Sequence, residues 1–242
     1  MIRVVLFDLD DTLFSHRGAV DDGLLATLDT LERIAHLDDA AEQRRWTELE
    51  EHHYARYLTG ELDYLGQRRA RARDFLAPYG TVLEDDEAET WFEEYLARYR
   101  AAFRLHDDAL PCLDELERRL PGVRFGIITN GDLAFQTAKL EALGLTDRVE
   151  HLVTSGELGV AKPDPRIFGA ALTLFGARPG EAAYIGDRLV TDAVGAARAG
   201  LTGVWLNRTD ARPLPEHQAE AAALGVAVLP DLTGLPDLLA GR

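Results

Sequence analysis

Apolar runs that stop abruptly at small or acidic residues recur along this chain. Val4–Phe7 gives way to Asp8, Val123–Ile128 to Thr129-Asn130-Gly131, His151–Val153 to Thr154-Ser155, and Ala182–Ile185 to Gly186-Asp187. Short, continuous apolar runs of this kind predict strands buried on both faces. Helical spacing fills the gaps between the later ones: Leu133–Leu143, stopped by Gly144, then Pro165–Phe175, then Asp192–Ala199, closed by Gly200. Two further strands, Gly203–Leu206 and Val226–Leu229, continue the alternation, with Arg208–Gln218 as a surface loop between them. The alternation predicts an α/β fold, a doubly wound parallel, Rossmann-like sheet.

From about Ser15 to Phe103 the pattern changes. This stretch is rich in Arg, Glu, Leu and Ala and has helical periodicity with no buried strand. Leu24–Ile34, Ala41–Leu58, Leu65–Tyr79 and Glu87–Phe103 read as four helices, with Gly60 and Pro78-Tyr79-Gly80 among the breaks. The expected organisation is a core domain of residues 1–14 and 105–242, interrupted by a helical domain of residues 15–104. Trp46, Trp91 and nearby tyrosines are expected to form the core of the insert. Arg68, Arg69, Arg71 and Arg73 spread over several faces of one helix, where solvated pairing with Glu and Asp is expected. His52 and His53 lack zinc-ligand neighbours and read as surface residues.

Composition narrows the functional classes. The 242-residue chain carries 42 acidic and 26 basic residues, a net charge of −16, which disfavours a nucleic-acid backbone or an anionic membrane as partner. A small phosphorylated ligand stays compatible, because a cation and a few aimed donors invert the local field. Cys112 is the only cysteine, so there is no intrachain disulfide. No apolar run approaches the ~20 residues of a membrane span, and the expectation is a cytoplasmic protein.

The chemistry concentrates where the strands end. Asp8 and Asp10 follow the first strand, and in an open α/β sheet ligands bind outside the carboxyl ends of the strands. Carboxylates crowded there repel one another, and a divalent cation is the obvious offset. Four motifs occur in order: Asp8-Leu9-Asp10-Asp11-Thr12, Ile127-Ile128-Thr129-Asn130-Gly131, Lys162-Pro163-Asp164-Pro165, and Gly186-Asp187 with Asp192 five positions on. With these motifs the chain resembles the haloacid dehalogenase superfamily of hydrolases, in the subfamily with a helical cap inserted between the first and second motifs. The resemblance covers about residues 1–14 and 105–240; the cap matches only in its helical character.

That resemblance implies a Mg2+-dependent phosphatase acting on a small phosphorylated metabolite. Asp8 would be the nucleophile, forming an aspartyl phosphate, and Asp10 the acid for the leaving group and then the base for water. For that role the Asp10 pKa is expected to rise toward neutrality. Asp187 and Asp8 would bind Mg2+ by their carboxylates and Asp10 by its backbone carbonyl. Asp192 would support that site from behind and orient Lys162. Thr129, with the amides of Asn130 and Gly131 at a helix N-terminus, would hold the phosphoryl oxygens together with Lys162. Lys162 precedes a proline, which favours extended backbone, and Gly186 permits close backbone approach. Asp132 reads as the cap of the helix that follows.

A dehalogenase would use the same nucleophile without metal or leaving-group acid, and Asp10 argues against it. A phosphomutase shares the phosphoaspartate chemistry, and a phosphate- or metal-binding regulator would keep the fold without turnover. Sugar phosphates, nucleoside monophosphates and phosphoglycolate are all compatible substrates, and the chain is expected as a monomer or homodimer.

Overall fold

The computed structural model describes residues 1–29 and 38–241. They divide into two compact units, Met1–Ser15 with Arg104–Arg242, and His16–Phe103.

In the first unit, strands β1 (Val4–Phe7), β2 (Arg124–Thr129), β3 (His151–Thr154), β4 (Ala182–Gly186), β5 (Thr202–Leu206) and β6 (Ala227–Leu229) form one parallel sheet in the order β3-β2-β1-β4-β5-β6. The chain works outward from β1 to β3 and then crosses back to place β4 on the other side of β1. The boundary between β1 and β4 is therefore the topological switch point, where such sheets open a crevice at their carboxyl edge. The register aligns the strand ends there: Phe7 sits between Ile127 and Ile185. Asp8, Thr129 and Asp187 consequently leave the sheet at one edge. β1, with no exposed residue, is buried on both faces as its composition predicts.

The second unit consists of α1 (His16–Leu28), α2 (Asp39–Leu58), α3 (Tyr64–Leu76) and α4 (Asp85–Ala101). The Leu24–Ile34 reading corresponds to α1 as far as Leu28, and its segment from Thr30 lies outside the described residues. Trp46 is fully buried and packs edge-on against Phe75, Trp91 and Tyr95, with ring centroids 5.1, 5.7 and 4.8 Å away. Aromatic edges and faces in this arrangement add to area burial. Arg68, Arg69 and Arg73 pair with Glu93, Glu89 and Asp85 as expected. Arg71 does not stay in solvent. It is buried, with its guanidinium 4.5 Å from the Trp46 ring centre and 3.2 Å from Glu50. His53 is also buried, against the surface reading, and its Nε2 lies 2.8 Å from Asp74 Oδ2. Burial is the chief cause that holds its pKa below the ordinary histidine value.

The core unit's helices include α5 (Ala109–Arg119), α6 (Leu133–Ala142), the single turn α7 (Ser155–Leu158) and α8 (Pro165–Phe175). Beyond β4 come a π-helical turn (Leu189–Val194), α9 (Gly195–Arg198), α10 (Pro215–Ala223) and α11 (Leu235–Ala240). Pro215 starts α10 at its N1 position, so the predicted Arg208–Gln218 loop ends earlier than its prolines suggest. No helix among the described residues is long and apolar enough to cross a membrane.

Candidate active site

Backbone pairing brings the two acidic strand ends together. The Asp8 N–H donates to the Ile185 carbonyl at 2.8 Å, which fixes Asp8 beside the end of β4. Gly186 and Asp187 follow immediately. A Cβ on Gly186 would collide with the Asp192 carboxyl group, so a glycine is required for Asp192 to reach its place. The helix predicted over Asp192–Ala199 instead begins as the π turn Leu189–Val194, and one wider turn is a frequent feature of functional sites. Asp192 Oδ2 accepts from the Arg188 N–H at 2.9 Å, which fixes the carboxylate at the start of that turn. The result is a cluster in which one oxygen each of Asp8, Asp187 and Asp192 lies within 4.8 Å of the others.

Lys162 enters this cluster from the loop before α8. Its buried ammonium donates to Asp8 Oδ1 at 2.6 Å, Asp192 Oδ1 at 2.8 Å and the Tyr184 hydroxyl at 2.7 Å. Those three partners use all three donors of an ammonium. Asn130 clasps the lysine's backbone in both directions, Oδ1 accepting from Lys162 N at 2.8 Å and Nδ2 donating to Lys162 O at 3.0 Å. The Lys162–Pro163 peptide is cis. Asp164 then caps α8 through the Arg166 N–H at 2.9 Å, with Pro165 in its first turn.

Charge and burial shape the protonation of this group. Burial pushes Asp8 up to about 7, with Lys162 opposing and the Asp192 and Asp10 carboxylates adding to the rise. Burial likewise pushes Asp187 up to about 8, helped by Asp8, Asp192 and Asp11. Lys162 is pulled down by burial, but Asp192 and Asp8 outweigh it and hold the ammonium above the ordinary lysine value. Three crowded carboxylates against one ammonium leave the cluster short of positive charge. The donors are hard oxygens at the mouth of a sheet, which is the donor set Mg2+ prefers. The residues fit a divalent cation.

Asp10 and Thr129 share a partner. Gln136 Nε2 donates to Thr129 Oγ1 at 3.1 Å and lies 3.4 Å from Asp10 Oδ2. Lys139 Nζ donates to Asp10 Oδ1 at 2.6 Å. Gln136 and Lys139 both come from α6, whose N-terminus Asp132 caps by accepting from the Phe135 N–H at 3.0 Å. Gly131 allows the Gln136 side chain to pass, since a Cβ there would meet its amide nitrogen at 2.7 Å. The structure thus groups Asp8, Lys162, Asp187 and Asp192, and places Asp10 with Thr129; Asn130 acts through the Lys162 backbone.

Tyr184, Gln136, Lys139 and Trp205 are absent from the sequence reading. Trp205 Nε1 donates to the Asp187 carbonyl at 2.8 Å and so fixes the backbone of a cluster residue from the neighbouring strand. Tyr184 left one trace, a lone hydroxyl in an otherwise apolar buried strand. Gln136 and Lys139 left none: with Leu140 they are the buried residues of a helix most of whose other positions are exposed. His16 opens α1, and its Nδ1 lies 2.9 Å from the Tyr99 hydroxyl.

Comparison with known proteins gives a consistent picture. The family model described as haloacid dehalogenase-like hydrolase matches residues 2–200. A phosphoserine phosphatase of Thermus thermophilus is 34% identical over 231 residues, covering 86% of this chain and 89% of that protein. A glyceraldehyde 3-phosphate phosphatase of Methanopyrus kandleri is 31% identical over 211 residues, covering 86% and 85%. Among solved structures, the magnesium-bound HAD-hydrolase YfnB of Bacillus subtilis shares the fold with a TM-score of 0.77, 21% identity and 98% coverage of both chains.

Proposed function

The chain belongs to the haloacid dehalogenase-like hydrolases, and on that premise we propose that it is a Mg2+-dependent phosphatase of small phosphorylated metabolites. The observation that carries this reading is the Lys162 ammonium held between Asp8 and Asp192, with Asp187 in the same cluster. A nucleophilic carboxylate, a fixed cation and a further acidic ligand at the switch point are the parts that phosphoryl transfer to an aspartate requires. The relatives named for phosphoserine and glyceraldehyde 3-phosphate support a small phosphomonoester as substrate.

In this reading an Asp8 oxygen attacks phosphorus, the ester P–O bond breaks, and Asp10 gives its proton to the departing oxygen. Asp10 then takes a proton from water as that water attacks the aspartyl phosphate, which releases phosphate and restores Asp8. Lys162 stabilises charge on the phosphoryl oxygens and, through Asp8, keeps the nucleophile oriented. Thr129 accepts from Gln136, which leaves its own O–H to donate to a phosphoryl oxygen. Mg2+ would be held by the Asp8 and Asp187 carboxylates and the Asp10 backbone carbonyl, and when bound it supplies the positive charge that the crowded carboxylates and the phosphoryl group demand.

The deciding experiment is phosphate release from a panel of phosphorylated metabolites, with Mg2+ and with EDTA. The wild type is expected to turn over in Mg2+ only, and Asp8→Asn to lose at least about 1,000-fold. Metal-independent halide release from a 2-haloacid, with no phosphate release, would overturn the reading.

A further inference from the structure

Lys139 is a buried lysine that the reaction scheme leaves without a task. Its side chain is 3% exposed, and its ammonium lies 5.1 Å from the ring centres of both Phe14 and Phe135. Burying an ammonium is costly unless it is paired and hydrogen-bonded. Its ion-pair partner is Asp10, at 2.6 Å through Oδ1. One turn back on the same helix, Gln136 approaches the other carboxyl oxygen at 3.4 Å and donates to Thr129 at 3.1 Å. The 3-residue spacing of Gln136 and Lys139 sets both on one face of α6. The Asp132 cap and the glycine at 131 fix where that face starts.

We infer that Lys139, with Gln136 beside it, is the positioning residue for Asp10, holding its carboxyl group in the orientation that serves the leaving-group oxygen. This rests on the reading of Asp10 as leaving-group acid. A short side chain on the turn after β1 has freedom about χ1 and χ2, and general-acid catalysis needs the proton within hydrogen-bond reach of the departing atom. Two donors from one rigid helix, one to each oxygen, remove that freedom. The aromatic walls around Lys139 set the ammonium's direction in turn. Gln136 also ties the acid to Thr129, so the leaving-group side and the phosphoryl side of the site share one scaffold.

The leaving group itself supplies a readout that a merely structural role would not move. An alkyl phosphate needs a proton on its departing oxygen, whereas 2,4-dinitrophenyl phosphate departs without one. We would measure kcat for both esters in wild type, Asp10→Ala, Lys139→Met and the double variant, all with Mg2+. Lys139→Met is expected to lower kcat for the alkyl ester by about 30- to 100-fold and for the aryl ester by less than about 3-fold. Asp10→Ala should show the same selectivity, and adding Lys139→Met to it should cost nothing more, because the two act as one unit. Lys139→Gln, which keeps an extended side chain and can donate a neutral hydrogen bond, is read by the same ratio, so the result does not hang on the Met variant folding. Equal losses on both esters in the Lys139 variants, or a multiplicative loss in the double variant, would overturn the positioning role while a selective Asp10→Ala left the acid intact. An unselective Asp10→Ala would instead sink the acid assignment, and the role of Lys139 with it.

Discussion

Lys162 shows how one residue sets the state of three others. Its ammonium spends one donor each on Asp8, Asp192 and Tyr184, and the Tyr184 hydroxyl donates in turn to the Ile128 carbonyl at 2.9 Å. Burial, then the nearby Asp192 and Asp8 carboxylates, hold the Tyr184 hydroxyl well above the ordinary tyrosine pKa, so it remains a donor. Replacing Lys162 by Met would strand two buried carboxylates without their cation. Removing one partner of a buried pair costs about 3 kcal/mol or more. Asp8, which burial already pushes up to about 7, has an escape, which is to bind a proton. The cost of Lys162→Met in cation-free buffer is therefore expected near that figure at pH 8 and clearly smaller at pH 5.5, read as denaturant midpoints at both values. A cost that does not change with pH would show that Asp8 and Asp192 find other partners.

At the level of elements, most of the architecture was legible because parallel strands buried on both faces announce themselves. Val4–Phe7 and Pro165–Phe175 have the boundaries read from pattern alone, and the other strands agree to within a residue or so. What periodicity could not supply is local winding and short polar helices. A π turn and an α turn carry the same residues, so pattern does not tell them apart, and the closeness of the Asp192 carboxyl group to Gly186, where a Cβ would collide with it, is visible only in the structure. The helix α5 was missed because its first turn, Ala109–Cys112, contains a proline, and α10 because Pro213 and Pro215 flank and open its first turn. The candidate site was legible where its residues end strands, as with Asp8, Thr129 and Asp187. It was illegible where they approach from a helix face, as with Gln136 and Lys139, since partners 126 and 129 positions away leave no local trace. The π turn carries a prediction of its own. Gly186→Ala forces Asp192 to move or the strand end to open, at a cost of about 2 kcal/mol. It should also loosen Lys162 from Asp192, so turnover should fall by more than the loss of stability explains. A variant as stable and as active as wild type would show that the turn tolerates a Cβ after all.

The molecule as a whole carries a net charge of −16, and Asp8, Asp187 and Asp192 crowd together in the core unit's site. Asp8, pushed up to about 7, and Asp187, pushed up to about 8, each start from 3.8. Between about pH 4 and pH 8 the folded chain thus binds more protons than the unfolded one at these positions. Their contribution to stability is fully present below pH 4 and is lost as pH rises through 7 to 8. A divalent cation must displace those protons, so its binding strengthens as pH rises. The melting temperature without cation is expected to fall from pH 5.5 to pH 8, and Mg2+ is expected to restore more of it at pH 8. At a hundredfold excess over Kd the gain is about 2.7 kcal/mol, or roughly 5–10 °C for a chain of this size. Diffuse screening of the net charge would also stabilise, but NaCl of equal ionic strength would match it. Asp187→Asn separates the two, since it should abolish the Mg2+-specific gain, leave the NaCl effect in place, and flatten the cation-free pH dependence. If Mg2+ and NaCl stabilise alike, or Asp187→Asn leaves the difference intact, the cation binds elsewhere and the raised carboxylates are not its ligands.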